Sequence, residues 1–91
     1  MKLQNKVAWI TGGASGLGAA TACRFIQEGV RVAIYDQNKE LGEQMAARLG
    51  DRGMFIHGDV THTADNEAAL KAILDKWGRL DILVNSAGVG A

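Results

Sequence analysis

Four short apolar runs alternate with three stretches of helical periodicity along the chain. Val7-Ala8-Trp9-Ile10 leads into Thr11-Gly12-Gly13, and Val32-Ala33-Ile34-Tyr35 ends at Asp36. Met54-Phe55-Ile56 ends near Gly58-Asp59, and Ile82-Leu83-Val84 ends at Asn85. Each run is continuous rather than alternating, as strands covered on both faces are, and each is closed by a turn residue. From Gly16 to Glu28, Ala19, Cys23 and Ile26 recur at helical spacing, and Gly29 supplies a stop. From Asn38 to Leu49, Leu41, Met45 and Leu49 form a stripe that Gly50 ends. From Thr63 to Trp77, the stripe is Leu70, Ile73, Leu74 and Trp77, with Thr63 as the expected N-cap. Asp65 and Glu67 suit the dipole of that first turn, and Gly78 ends the helix. The predicted order is β-α-β-α-β-α-β. Strands separated by helices of this length pair in parallel through right-handed crossovers, so the fold class is α/β with a doubly wound sheet.

Composition narrows the function classes. Ten Lys plus Arg balance ten Asp plus Glu over 91 residues. The first fifty residues carry six basic and four acidic groups and the remainder four and six, so there is no charged arm. Neutrality argues against nucleic acid and anionic membrane as partners, because both need a basic face. No apolar run reaches the ~18 residues of a membrane span, and the first residues have no signal-like apolar core behind them. One cysteine, Cys23, excludes a disulfide framework and a multi-thiolate metal site, and fits a reducing, cytoplasmic setting. Cys23 lies mid-helix and reads as core. His57 and His62 around Asp59 are too few donors for a metal site, so no metal is expected.

Twelve glycines and no proline make the placement of glycine informative. Thr11-Gly12-Gly13-Ala14-Ser15-Gly16-Leu17-Gly18 occupies the turn from the first strand to the first helix. Glycines there permit a sharp turn and close backbone approach to a phosphate. The helix opening at Gly16 presents free N–H groups and a positive dipole end, which favour a pyrophosphate. The spacing is G-x-x-x-G-x-G. The P-loop spacing from Gly13 to Gly18 is present, but Ala19 stands where that motif needs a lysine. Asp36 follows Gly18 by eighteen residues, at the end of the second strand. A carboxylate there accepts from adenosine ribose hydroxyls and repels a 2′-phosphate. Neither Tyr35, Gln37 nor Ser15 is basic, so the expected cofactor is NAD rather than NADP. A capping aspartate ahead of Asn38 and a purely structural glycine turn are the bland alternatives.

These residues resemble the short-chain dehydrogenase/reductase family. Thr11-Gly12-x-x-x-Gly16-x-Gly18 resembles its cofactor turn, Asp59-Val60 its adenine-contacting pair, and Asn85-Ser86-Ala87-Gly88 its Asn-Asn-Ala-Gly motif. The resemblance covers essentially the whole chain and only the family's cofactor-binding portion. It implies a Rossmann-type sheet with the segment from Gly12 to Gly18, including the Ser15 hydroxyl and the Leu17 N–H, around the pyrophosphate and adenosine side. It implies Asp36 on the ribose, Asp59 accepting from the adenine amino group and the Val60 N–H bonding the ring. Asn85, Ser86, Ala87 and Gly88 are then beside the cofactor, and the Ser86 departure puts a side-chain role of the second Asn in doubt. The wording of the turn, with Asp36 and Asp59-Val60, is also similar to the 3-hydroxyacyl-CoA dehydrogenase branch.

The family's chemistry needs a Ser and a Tyr-x-x-x-Lys pair on a later helix, moving hydride between nicotinamide and a secondary alcohol or ketone. Tyr35 and Lys39 have that spacing but straddle a strand end, so they are not expected to catalyse. The expectation is one dinucleotide-binding portion, residues 1–91, of a larger domain, with no catalytic residue in this chain and little activity of its own. A non-catalytic nucleotide-binding module or an inactive truncated product is the alternative. If the strand order is 3-2-1-4, the first and fourth strands are neighbours at the switch point where ligands of such sheets bind. Ile82-Leu83-Val84, with no helix returning over it, reads as an apolar edge strand, and marginal stability with homo-oligomerisation or a missing partner segment is expected.

Overall fold

The structure, a computed structural model, describes residues 3–86. Its elements are β1 (Val7–Thr11), α1 (Gly16–Gln27), β2 (Arg31–Asp36), α2 (Lys39–Leu49), a 3-10 turn (Gly50–Arg52), β3 (Gly53–His57), α3 (Thr63–Trp77) and β4 (Ile82–Asn85). The four strands form one parallel sheet in the order β3-β2-β1-β4. Trp9 of β1 stands opposite Ala33 of β2 and Leu83 of β4. β1 therefore sits between the strand that follows it and the one farthest along the chain. The crossovers leave in opposite directions from there, which opens a crevice at the carboxyl ends of β1 and β4.

The alternation of side chains splits the core in two. Ala8, Ile10, Val32 and Ile34 face Ala22 of α1, Met45 and Leu49 of α2, and Val30. Val7 and Ala33 face Ile73 of α3, with Trp9, Met54, Ile56, Trp77 and Leu80 half-buried around them. Burial on both faces holds for β1 and β2. It fails for β4, where Ile82 and Val84 are half-buried and Leu83 is 61% exposed. Its outer edge pairs with no described strand, and α3 reaches the sheet over Ile73 rather than over Leu83.

The helices keep part of the expected stripes, with Met45, Leu49 and Ile73 buried, and depart from the rest by one position. α1 buries Gly18 and Ala22, while Ala19, Cys23 and Ile26 are half-buried. α2 buries Gly42, Met45 and Leu49 and leaves Leu41 exposed. α3 buries Ala69 and Ile73, leaving Leu70 and Leu74 exposed. Small residues allow close approach, so the helix rotates to seat them and turns the adjacent leucine outward. Gly29, Gly50 and Gly78 follow their helices with positive φ, as expected of stops. At the start of α3, Thr63 is the first helical residue and His62 holds the cap position with no side-chain cap bond. The turn is instead tied down by Asp65, whose carboxylate accepts the Asp59 N–H at 3.0 Å.

The amino ends of β1 and β4 are joined through Asp81. Its Oδ2 accepts the Val7 N–H at 2.9 Å, and its own N–H donates to the Val7 carbonyl at 2.9 Å. Arg79 grips both carboxylate oxygens, from Nε at 2.9 Å and Nη2 at 2.8 Å. The Arg79 hydrogen bonds first, and the Val7 N–H next, hold the Asp81 carboxyl below its ordinary value. A depressed pKa stabilises the fold above the unfolded carboxylate value, about 3.9, and that contribution is lost as pH falls through the lower folded value. Urea unfolding of Asp81→Asn should show lower stability than the parent at pH 7, with the gap closing as pH falls below the unfolded carboxylate value. A gap of equal size at both ends of that range would remove the ionised clamp from the account.

Candidate functional site

The turn after β1 is built around close contact between backbones. Gly12 has φ +67°, and its carbonyl lies against Gly18, where an added Cβ would collide with the Gly12 oxygen and sit 2.6 Å from Ser86 Oγ. No side chain fits at Gly18, so α1 begins hard against the turn. Ser15 caps α1 with extended backbone and no side-chain cap bond, and the first turn carries no acidic residue. The Gly16, Leu17 and Gly18 N–H groups precede the first helical bond, from the Ala19 N–H to the Ser15 carbonyl at 3.3 Å. By contrast α2 and α3 carry Glu40 and Asp65 in their first turns. The α1 terminus keeps its positive dipole end unneutralised.

Gly12, Ser15, Gly16, Leu17, Gly18, Asp36 and Ser86 line one concavity of about 260 Å³. Asp36, the last residue of β2, reaches across it. Its Oδ2 accepts the Ala14 N–H at 3.2 Å and its Oδ1 the Asn38 N–H at 2.9 Å. The cap of α2 belongs to Asn38, whose Oδ1 accepts the Leu41 N–H at 3.0 Å. Asp36 is thus not the capping residue, and an ionised carboxylate has room for about four donors, so acceptor capacity remains.

Ser86 closes the far wall. Its hydroxyl donates to the Thr11 carbonyl and lies 3.3 Å from the Gly12 carbonyl, while its N–H donates to the Thr11 carbonyl at 3.2 Å. The hydroxyl and N–H of Ser86 thus tie the end of β4 to the turn after β1. Thr11, a buried polar residue, donates to Asn85 Oδ1 at 2.8 Å. Sequence reasoning had Thr11 only as part of the turn; its link to Asn85 needs the β1–β4 register. Ala87 and Gly88 lie outside the described residues.

Asp59 and Val60 lie beyond the end of β3 and do not line the glycine concavity. Asp59 borders a second hollow with Gln37, His57, Gly58, His62 and Asp65, and Val60 a third with Trp9, Thr11, Asn66, Leu83 and Asn85. Asp59 Oδ1 accepts from the Thr61 hydroxyl at 2.7 Å and from the Thr61 N–H at 2.8 Å. The hydroxyl bond first, and the N–H bond next, lower the Asp59 pKa, which keeps the carboxylate an acceptor at neutral pH. Tyr35 is wholly buried with its hydroxyl held by Asn66, and Lys39 is exposed beside Glu43, so the two do not form an acid–base pair. Burial first, with Asp65 and Asp59 nearby, raises the Tyr35 pKa, the wrong direction for such a role. Among the described residues no group of three or more His, Cys, Asp or Glu is placed to hold a metal ion, and no helix is long and apolar enough to cross a membrane.

An unneutralised helix start, a glycine cradle and a carboxylate on its rim suit an anionic, sugar-bearing ligand. A family model described as short chain dehydrogenase matches residues 6–91. The chain belongs to the short-chain dehydrogenase family. Momilactone A synthase of Oryza sativa subsp. japonica is 47% identical over 89 residues, which are 97% of this chain and 32% of that protein. The 3-hydroxyacyl-CoA dehydrogenase type-2 of Drosophila melanogaster is 46% identical over 86 residues, 94% of this chain and 34% of its own. The crystal structure of 3-ketoacyl-(acyl-carrier-protein) reductase from Brucella melitensis complexed with NADH matches with a TM-score of 0.87 and 42% identity, over 89% of this chain and 33% of that one. The chain spans about a third of the length of the curated relatives it matches.

Gly18→Ala should destabilise the chain by about 1–3 kcal/mol, the usual cost of overpacking, because the obstacle is a backbone carbonyl. Gly16→Ala, at φ +58° with open space around it, should cost only the left-handed penalty of about 1–2 kcal/mol. Thermal melts of the two variants test this, and a Gly18→Ala protein as stable as the parent would refute the close approach.

Proposed function

We propose that this chain is the NAD-binding half of an oxidoreductase that moves hydride between nicotinamide and a secondary alcohol or ketone, a 3-hydroxyacyl thioester among the candidates. The carrying observation is the concavity shared by the α1 start and the Asp36 carboxylate. The Gly12 N–H is engaged by the Tyr35 carbonyl and the Ala14 N–H by Asp36, so the Gly16, Leu17 and Gly18 N–H groups and the Ser15 hydroxyl hold the pyrophosphate, with Gly12 giving the backbone its close approach, and Asp36 accepts from the adenosine ribose. Asp59 accepts from the adenine amino group while the Val60 N–H donates to the ring. Asn85 and Ser86 lie along the cofactor. The NADH in the matched reductase supports a nicotinamide dinucleotide as the ligand class. The bound cofactor supplies the hydride acceptor, and the residues of this chain orient it.

On this reading the catalytic Ser, Tyr and Lys belong to the remainder of a longer protein, and the chain alone turns over no alcohol. The proposed setting is the cytoplasm, without membrane or nucleic-acid partners. The open edge of β4 and the exposed Leu83 support completion by further chain or by a second copy in a homo-oligomer.

NAD is favoured over NADP because a 2′-phosphate meets the Asp36 carboxylate. Titration calorimetry should give NAD binding at least about tenfold tighter than NADP, a difference of about 1.4 kcal/mol. Asp36→Ala should weaken NAD by about tenfold or more, the loss of a hydrogen bond to a charged group. Equal binding of the two cofactors, or full NAD affinity in Asp36→Ala, overturns the reading.

A further inference from the structure

We infer that Asn66 and Tyr35 form a positioning pair that sets how the adenine ring is read, a role that rests on the dinucleotide reading above. The Tyr35 hydroxyl donates to Asn66 Oδ1 at 2.8 Å and lies 3.2 Å from the Asp59 carbonyl. The Asn66 Nδ2 donates to the Val60 carbonyl at 2.9 Å. A carbonyl can only accept, so Val60 fixes which way the amide faces and leaves Oδ1 for the phenol. One side chain on the first turn of α3 therefore joins the end of β2 to the loop carrying Asp59 and Val60.

The rest of that loop is tied at its flanks. Gly58 donates to the Asp36 carbonyl at 3.2 Å, His62 to the Asp59 carbonyl at 2.9 Å, and Asp59 to the Asp65 carboxylate. Tyr35 also fills the space under the loop, since a Cβ at Gly58 would strike its ring. Tyr35 precedes Asp36 directly, so the bridge links the residue assigned to the ribose with the pair assigned to the base. An apolar pair would fill the same volume, and Ala would serve the helix better than Asn. What the amide and hydroxyl add is a single geometry for the loop.

The reading of the base depends on that geometry. Adenine offers a donor at its amino group and an acceptor at the adjoining ring nitrogen, matching Asp59 Oδ2 and the Val60 N–H. Hypoxanthine reverses both, with an oxygen against the carboxylate and a ring N–H against the Val60 N–H. A held loop discriminates between them, and a loosened loop adapts to either.

The test titrates the full chain with NAD and with its hypoxanthine analogue, for the parent, Asn66→Ala and Tyr35→Phe. Circular dichroism melts confirm folding, and Tyr35→Phe, which keeps the ring, decides the matter if Asn66→Ala does not fold. The parent should prefer NAD by about tenfold, and each folded variant should shrink that preference by about threefold to tenfold, the range of one hydrogen bond. A role in stability alone lowers the melting temperature and leaves the preference intact, and that result overturns the positioning role while the dinucleotide reading stands. A parent that binds both cofactors equally refutes the adenine contacts, and the inference with them. A parent that binds neither removes the dinucleotide reading itself.

Discussion

The contact between the Gly12 carbonyl and Gly18 governs the crevice. It brings the first turn of α1 over the end of β1 at a separation no side chain permits. Three consequences share that origin. The N–H groups at the start of α1 face the space above the sheet rather than a neighbouring side chain. Ala14 falls where its N–H can reach Asp36. Ser86 at the end of β4 finds the Thr11 and Gly12 carbonyls within reach and ties the last strand to the first turn. A helix that started farther out would lose all three, and its dipole would be spent on solvent.

Adjacent residues at the end of β2 divide the labour on either side of the sheet. Asp36 bonds to the glycine turn and to α2, on the side where α1 and α2 pack. Tyr35 points the other way, into contact with Trp9 at a ring separation of 5.7 Å and with Asn66 on α3. Period-two alternation thus lets one strand end support two separate parts of a ligand site. The indole of Trp9 belongs to the same layer, and its Nε1 is buried with no partner among the described residues. A bulky residue at the centre of the sheet is accommodated there by the small Ala33 opposite and by the open ground beside Leu83.

The strands and their parallel crossovers were legible because continuous apolar runs and glycine stops are strong local signals, as at Val32–Tyr35 and Gly78, whereas the order β3-β2-β1-β4 entered only as a condition, since local signals do not say which strands pair. The faces of the helices were less legible than the strands. Met45, Leu49 and Ile73 are buried as the stripes predict, but Leu41, Leu70 and Leu74, which carry more hydrophobic weight than Gly42 or Ala69, give way to those small residues because proximity of backbones favours them. The glycine turn and Asp36 were readable because both sit at fixed places in a strand-turn-helix unit. The Tyr35–Asn66–Val60 bridge was not, since its members come from separate elements and meet only through the β2–β3 register and the lie of α3. Thr11 and Asn85 are hidden for the same reason, as β1 and β4 pair across nearly the whole chain.

That pairing also shapes how the chain is made. Ala8 waits for Ile82, and about 74 residues must be added between them. At about 5–20 residues per second, β1 spends roughly 4–15 s of synthesis with one flank bare. A nascent polypeptide in that interval offers ribosome-associated chaperones a ready apolar strand, and neighbouring ribosomes on one message a chance to mispair. The central position of the first strand thus leaves its second flank to be paired only once the last described strand has been made.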